Sequence, residues 1–427
     1  MRARPARVLR TLAVVTLASL VAAACDTGTP AAGRSTTAGP PSSTTPAAPP
    51  TTSSPSATSS ATTTATTTAT TTASPSSSTA AASCGQRLAA RMTPAQRAGQ
   101  LLMVGLQPTG SASRLAAQAK SQHLGGVIYL GGWSGGAASM ARISARLQQG
   151  AAGSLLIAAD QEGGQVQQLK GPGFSQMPSA RAQSSSGVQT EEANVRAWSR
   201  ELARAGVTTN LAPVADTVPT SLGAANQPIG RYRRDFVPGS PKANATYVAA
   251  FVRGSLAADV IPTVKHFPGL GRITGNTDVT TVGTTDSTTD AHDSYLQPFA
   301  AGIKAGAPVV MVSSARYSKL DPDNRAMFSR AIITGLLRDQ LGFDGVVITD
   351  DVGAAKAVAA VPVGERATRF IAAGGDIVLT ARSDQAGPML GAIARTRAAS
   401  PAFARQVDAA AARVLDLKAR SGLVTCR

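Results

Sequence analysis

The sequence predicts an α/β protein, a single (β/α)8, TIM-like barrel behind a disordered N-terminal tether. Three observations predict it. Short Val/Ile/Leu runs alternate with longer helical patterns, as in a parallel sheet covered on both faces. The stretch carrying this pattern, Cys84–Arg427, has 344 residues, room for one barrel of roughly 250 residues with insertions but not for a large second domain. Several different strands end on polar or ionisable residues, as the functional edge of a barrel requires. An open doubly wound sheet would share the alternation, but no GxGxxG sits at a first strand–helix turn to support a dinucleotide fold.

The N-terminus comes first. Residues 1–24 read as a secretory signal peptide: Arg2, Arg4, Arg7 and Arg10 precede an apolar or small-residue run, Thr11–Ala24, too short to span a bilayer comfortably. The leader ends Val21-Ala22-Ala23-Ala24-Cys25, which resembles a bacterial lipobox. That resemblance implies a lipidated Cys25 and an exported protein anchored to the cell membrane, facing the cell wall. Ala22 stands where Leu is commoner, so cleavage by ordinary signal peptidase, and secretion, is the other outcome. From residue 25 to 83 the chain is a linker of Thr, Ser, Ala and Pro that cannot bury a core.

The formal charge is +17, or +13 without the four leader arginines. No basic run interleaves with aromatics, which excludes a nucleic-acid partner. A diffuse positive surface suits an anionic envelope polymer or lipid headgroups; an Arg bias without a partner fits equally. Beyond Cys25, Cys84 and Cys426 bracket the folded region, and export favours a disulfide between them. Three cysteines and three histidines show no metal-ligand spacing.

Within the folded region, Thr93-Pro94-Ala95-Gln96 is a capping box with Pro at the first helical position, launching a helix that carries Gly99–Gly105. Strands follow at Gly125–Leu130 and Leu155–Ala159. A helix runs from Thr190 to about Ala205, a strand over Val207–Leu211, and a helix over Ala243–Ala258. The next strand, at Val260, Ile261 and Val264, runs into Lys265-His266. Then come a helix at Leu296–Ala305, a strand at Val309–Val312, a helix from Ser329 to Gly342, and a strand at Gly345–Ile348. A helix at Ala367–Ala373, a strand at Asp376–Leu379 and a long helix from Ser400-Pro401 to about Arg420 complete the chain.

Val264-Lys265-His266-Phe267-Pro268-Gly269 resembles the KHFPG signature of family 3 glycoside hydrolases, in the β-N-acetylhexosaminidase branch. Three further segments match in the family's order. Asp160-Gln161-Glu162-Gly163-Gly164-Gln165-Val166-Gln167-Gln168 is similar to DQEGGRVQR, Ala212-Pro213-Val214-Ala215-Asp216 to APVxD, and Thr349-Asp350-Asp351 to the strand-end segment holding the nucleophile. The resemblance spans about Thr93–Leu379. It implies exo-hydrolysis of a β-linked N-acetylglucosamine from cell-wall glycans, peptidoglycan fragments above all, with no cofactor or metal.

The retaining route needs one carboxylate to attack the anomeric carbon and a second group to protonate the leaving oxygen. By the resemblance, Asp350 is the nucleophile. Asp160, Lys265 and His266 bind sugar hydroxyls, with Arg234 from Ile229–Phe236; Arg231 or Arg233 could replace Arg234. Gln168 stands where the family places a sugar-site Arg, and Gln165 replaces another Arg. Asp216 and Asp351 are expected to be structural, His123 likewise, and His292 solvent-facing. The family's acid is a loop His oriented by an Asp two residues before it. Here those positions hold Asp278 and Asn276. Either Asp278 is the acid, its pKa raised by burial or by Asp350, or the barrel binds glycan with little or no turnover.

Overall fold

In the computed structural model the described residues are 81–151 and 154–426. The signal peptide, Cys25 and the linker up to residue 80 lie outside the described residues.

Eight parallel strands form the barrel: β1 Leu102–Leu106, β2 Gly126–Tyr129, β3 Leu156–Ala159, β4 Thr209–Asn210, β5 Ile261–Phe267, β6 Val309–Val312, β7 Val346–Thr349 and β8 Val378–Thr380. They pair in chain order. β8 returns to β1 with Leu102 opposite Val378, and an Ile348–Ile377 bridge joins β7 to the residue before β8, closing the ring. Every residue of these strands is buried, which explains the apolar runs of most of them; among the polar exceptions are Thr209 and Asn210 in β4 and Thr263, Lys265 and His266 in β5. Each fully buried Val, Ile or Leu contributes about 1.5–3 kcal/mol of transfer free energy.

A helical segment follows every strand: Ala112–Gln122, Gly136–Gly150, Val188–Arg204, Pro241–Leu256, Gln297–Lys304, Ala331–Gln340 (wound as a π-helix), Val363–Ala373 and Ala386–Ala399. The regular alternation makes this a (β/α)8 barrel. Helix Pro401–Arg420 then crosses to helix Cys84–Ala90, where Ala89, Ala412 and Leu415 pack together. Cys84 and Cys426 form a disulfide there, with their Cα atoms 5.5 Å apart.

The expected helix through Gly105 is two elements. Its capping box at Thr93 is present, but the helix stops at Gln100 and β1 follows. The Leu101–Val104 run is apolar on every side, so periodicity cannot separate buried strand from buried helix. Helices Ala112–Gln122, Gly136–Gly150 and Ala386–Ala399 were not expected. Their buried faces lean on small residues such as Ala116, Ala119, Gly136, Ser144 and Ala386, so the apolar stripe has little contrast.

Candidate active site

Strand ends and the loops that follow them enclose a cavity of about 450 Å³ at the C-terminal face. Asp160, Arg234, Lys265, His266, Asn276, Asp278, Asp350 and Asp351 line it, with Gln165 and Tyr232. The site is built from the first residue after β3, the end of β5, the first residues after β7, and two long loops.

The chain turns sharply after Asp160. Gln161–Gly163 and Val166–Gln167 form a small antiparallel hairpin, and Gly163 has φ +101°, where an added Cβ would lie 2.1 Å from the Pro178 carbonyl oxygen. Only glycine fits there. Glu162 is thereby held under the cavity floor. Its carboxylate accepts Nε and Nη2 of Arg234 at 2.8 and 2.7 Å and lies 2.6 Å from Lys265 Nζ. Lys265 Nζ also donates to Asp160 Oδ1 at 2.5 Å. Burial alone would push Glu162 up, but Arg234 and Lys265 outweigh it and hold the carboxyl at about 2. Burial likewise opposes the Lys265 charge, and Asp160 and Glu162 together raise its pKa.

Lys265 and His266, consecutive residues joined by a cis peptide bond, both face this cavity. His266 Nδ1 lies 2.7 Å from Asp216 Oδ2, and its Nε2 lies 3.4 Å from Arg234 Nη2. Asp216 Oδ1 accepts the backbone N–H of His266 and of Leu270, at 3.3 and 2.8 Å. Asp216 therefore fixes the ring as well as the loop.

Asp350 continues the strand ladder, its N–H donating to the Val312 carbonyl at 3.0 Å. Asp351 is committed to the backbone instead. Its oxygens accept N–H groups of Gly353, Ala354 and Ala381 at 2.7, 3.0 and 2.7 Å. Asp278 approaches from a loop whose Asn276 Oδ1 accepts the Asp278 N–H at 3.0 Å. Asp278 is solvent-exposed at the cavity rim while facing Asp350 across the barrel mouth. Burial first, then the Asp350 charge, pushes its carboxyl up to about 6, against the pull of His266 and Arg234.

Most of the expected side chains converge here, and Arg234 is the arginine that reaches the cavity; Arg231 and Arg233 are exposed. Gln168 is not among the lining residues. Its Oε1 accepts the Gly132 N–H at 2.9 Å, and Gln165 lines the cavity in its place. His123 ends helix Ala112–Gln122 in a left-handed conformation, and His292 is exposed. Two residues had more to do than the sequence suggested. Asp216 orients His266 beyond a structural role, and Glu162 joins two cationic ligands. The only signal for Glu162 in the sequence is a second acid two residues after Asp160.

The family model for the glycosyl hydrolase family 3 N-terminal domain matches residues 94–417. A β-hexosaminidase of Xanthomonas oryzae pv. oryzae is 32% identical over 304 residues, covering 69% of this chain and 87% of the relative. The crystal structure of a β-N-acetylhexosaminidase from Beutenbergia cavernae superposes with a TM-score of 0.74 at 44% identity, covering 77% of this chain and 98% of that one. A family 3 β-N-acetylglucosaminidase from Paenibacillus sp. gives 0.67 at 30% identity, covering 78% of this chain and 63% of that one. With the barrel and the strand-end cavity, these matches establish that the chain is a glycosyl hydrolase and belongs to family 3.

Proposed function

We propose that this chain is a retaining exo-β-N-acetylglucosaminidase with Asp350 as nucleophile and Asp278 as general acid/base. The observation that carries it is the pairing of two carboxylates in one cavity, one on a rigid strand end and one on a facing loop. The β-N-acetylglucosaminidase and β-hexosaminidase relatives support the sugar.

Asp160, Lys265, His266 and Arg234 hold the hydroxyls of the non-reducing sugar. An Asp350 oxygen attacks the anomeric carbon as the glycosidic bond breaks, and Asp278 gives its proton to the departing oxygen. The product is a glycosyl ester on Asp350 and a free aglycone alcohol. Asp278, now a carboxylate, takes a proton from water as that water attacks the anomeric carbon. The ester bond breaks, the sugar leaves with retained configuration, and both side chains return to their starting states. A carboxyl near 6 suits a group that must give and then take a proton.

A fluorinated N-acetylglucosaminyl fluoride that traps the ester tests the assignment. Peptide mass mapping places the adduct on Asp350; an adduct elsewhere, or inversion of the product anomer, contradicts it. The substrate is proposed to be cell-wall-derived glycan, reached from a lipid anchor at Cys25. The Arg-bearing leader and the nearly uncharged linker support this. Loss of membrane fractionation in Cys25→Ala is the expected result, and unchanged fractionation removes the anchor.

A further inference from the structure

One fully buried polar side chain near the cavity plays no part in the chemistry above. Asn226 lies just before the turn Gly230–Tyr232 that delivers Arg234. Its Oδ1 accepts the N–H groups of Ile229 and Gly230 at 3.0 and 2.7 Å. Its Nδ2 donates to the carbonyls of Leu270, Gly271 and Ile273 at 2.7, 3.0 and 2.7 Å. N–H groups on one side and carbonyls on the other fix the amide's orientation. The Gln227 N–H donates to the Thr274 carbonyl at 3.2 Å, extending the seam.

The two sides lead to different parts of the site. Residues 229–230 lead to Arg234, and residues 270–273 begin the loop that carries Asp278. Farther out, the N–H groups of Thr274 and Gly275 both donate to the Gly283 carbonyl, at 3.1 and 2.8 Å. At the tip, the Lys356 N–H donates to the Asp278 carbonyl and the Ala357 N–H to the Thr277 carbonyl, each at 3.0 Å. The tip is tied to the neighbouring segment by backbone, with a local turn in which Asn276 Oδ1 accepts the Asp278 N–H, whereas Asn226 ties the base to the Arg234 turn through one replaceable side chain. Three buried carbonyls of an irregular loop need donors, and Asn supplies them while its oxygen serves the opposite segment. Asp would keep the acceptor and lose the donors.

We propose that Asn226 is a positioning residue for proton donation, holding the base of the Asp278 loop in register with the Arg234 turn. This rests on Asp278 being the acid. The test compares Asn226→Asp and Asn226→Ala with Asp278→Asn on β-N-acetylglucosaminides whose leaving groups run from nitrophenol to simple alcohols. Rates are normalised to active sites counted with the covalent trap, so unfolded protein does not enter. A misplaced donor costs little on nitrophenol and about 10- to 100-fold on an alcohol, part of the range for removing general-acid assistance altogether. In Asn226→Asp, which keeps the acceptor for the Arg234 turn, inhibition by free N-acetylglucosamine stays unchanged.

A loss of equal size on every leaving group, or none, in the Asn226 variants overturns the proposal. If Asp278→Asn is steep while they are flat, the acid assignment stands and the positioning role falls. If Asp278→Asn is flat, the acid assignment fails, and with it the proposal for Asn226. Should Asn226→Ala not fold, Asn226→Asp carries the comparison alone.

Discussion

On the wall of the cavity built by Asp160, Arg234, Lys265 and His266, with Glu162 and Asp216 behind it, each ionisable side chain meets another within 2.5–3.4 Å. On the facing wall, the Asp278 carboxyl makes no side-chain hydrogen bond or ion pair among the described residues, and its loop is held by backbone contacts and by Asn226, Asn276 and Asp216. On the proposed function the first wall is a preorganised receptor: opposing buried charges cancel, and little has to move when a sugar's hydroxyls arrive. The second leaves one carboxyl unpaired, crowded, and close to another carboxyl. Binding and proton transfer make opposite demands. A ligand group should be locked in one charge state, and an acid must lie near the pH at which it changes.

The comparison can be broken from the floor upward. Asp350→Ala removes the proposed nucleophile and is expected to lower kcat/KM on the order of 10⁴-fold or more, with the thermal midpoint little changed; substantial residual activity would move the nucleophile elsewhere. Glu162→Gln attacks the paired wall. Removing one partner of a buried ion pair costs about 3–5 kcal/mol, here toward the lower end because Asp160 still faces Lys265. A lowered melting temperature and a raised KM should appear together, with the leaving-group dependence unchanged. A steepened dependence would mean that the walls are not separable.

The pH dependence probes the unpaired wall. An acid near 6 is protonated below that value, so kcat/KM on an alcohol leaving group falls as pH rises through about 6. On nitrophenyl substrates this descending limb should weaken, because they need little acid help. A limb of equal size on both would assign it to another group.

A smaller effect lies outside the site. Lys418 is fully buried, with Nζ 2.6 Å from Gln100 Oε1, and burial lowers its pKa to about 7. Between about 7 and its ordinary value near 10, the folded chain binds fewer protons than the unfolded chain. Stability therefore rises with pH across that window, and the penalty is complete below about 7. Lys418→Met should gain thermal stability at pH 6 and lose that advantage at pH 10, with kcat/KM unmoved throughout. A pH-independent difference would contradict the buried charge.

The paired wall was also the more legible in sequence. Its residues lie at strand ends, where an apolar run stops on Asp160 or on Lys265-His266, and the short motifs carry their spacing with them. Glu162 was inside one of those motifs but its role was hidden, because its partners come from two other segments of the chain. Asn226 gave less warning: a lone Asn in a Gly/Pro-containing loop reads as a turn, and only the fold brings residues 270–273 against it. Asp278 was located by counting from Lys265, yet its crowding depends on Asp350, some 70 residues later. In the shell of helices, alanine-rich faces concealed three elements whose positions the ring of strands imposes.

The central claim, that Asp278 has taken over the proton transfer, is tested most directly by the leaving-group dependence of wild type against Asp278→Asn at pH 5. The account predicts nearly equal kcat/KM on a nitrophenyl N-acetylglucosaminide, with kcat lowered because the same residue serves hydrolysis of the ester, and a kcat/KM loss of about 10²- to 10⁴-fold on a disaccharide or simple alkyl glycoside. Equal rates on both substrates would contradict it and remove Asp278 from the mechanism.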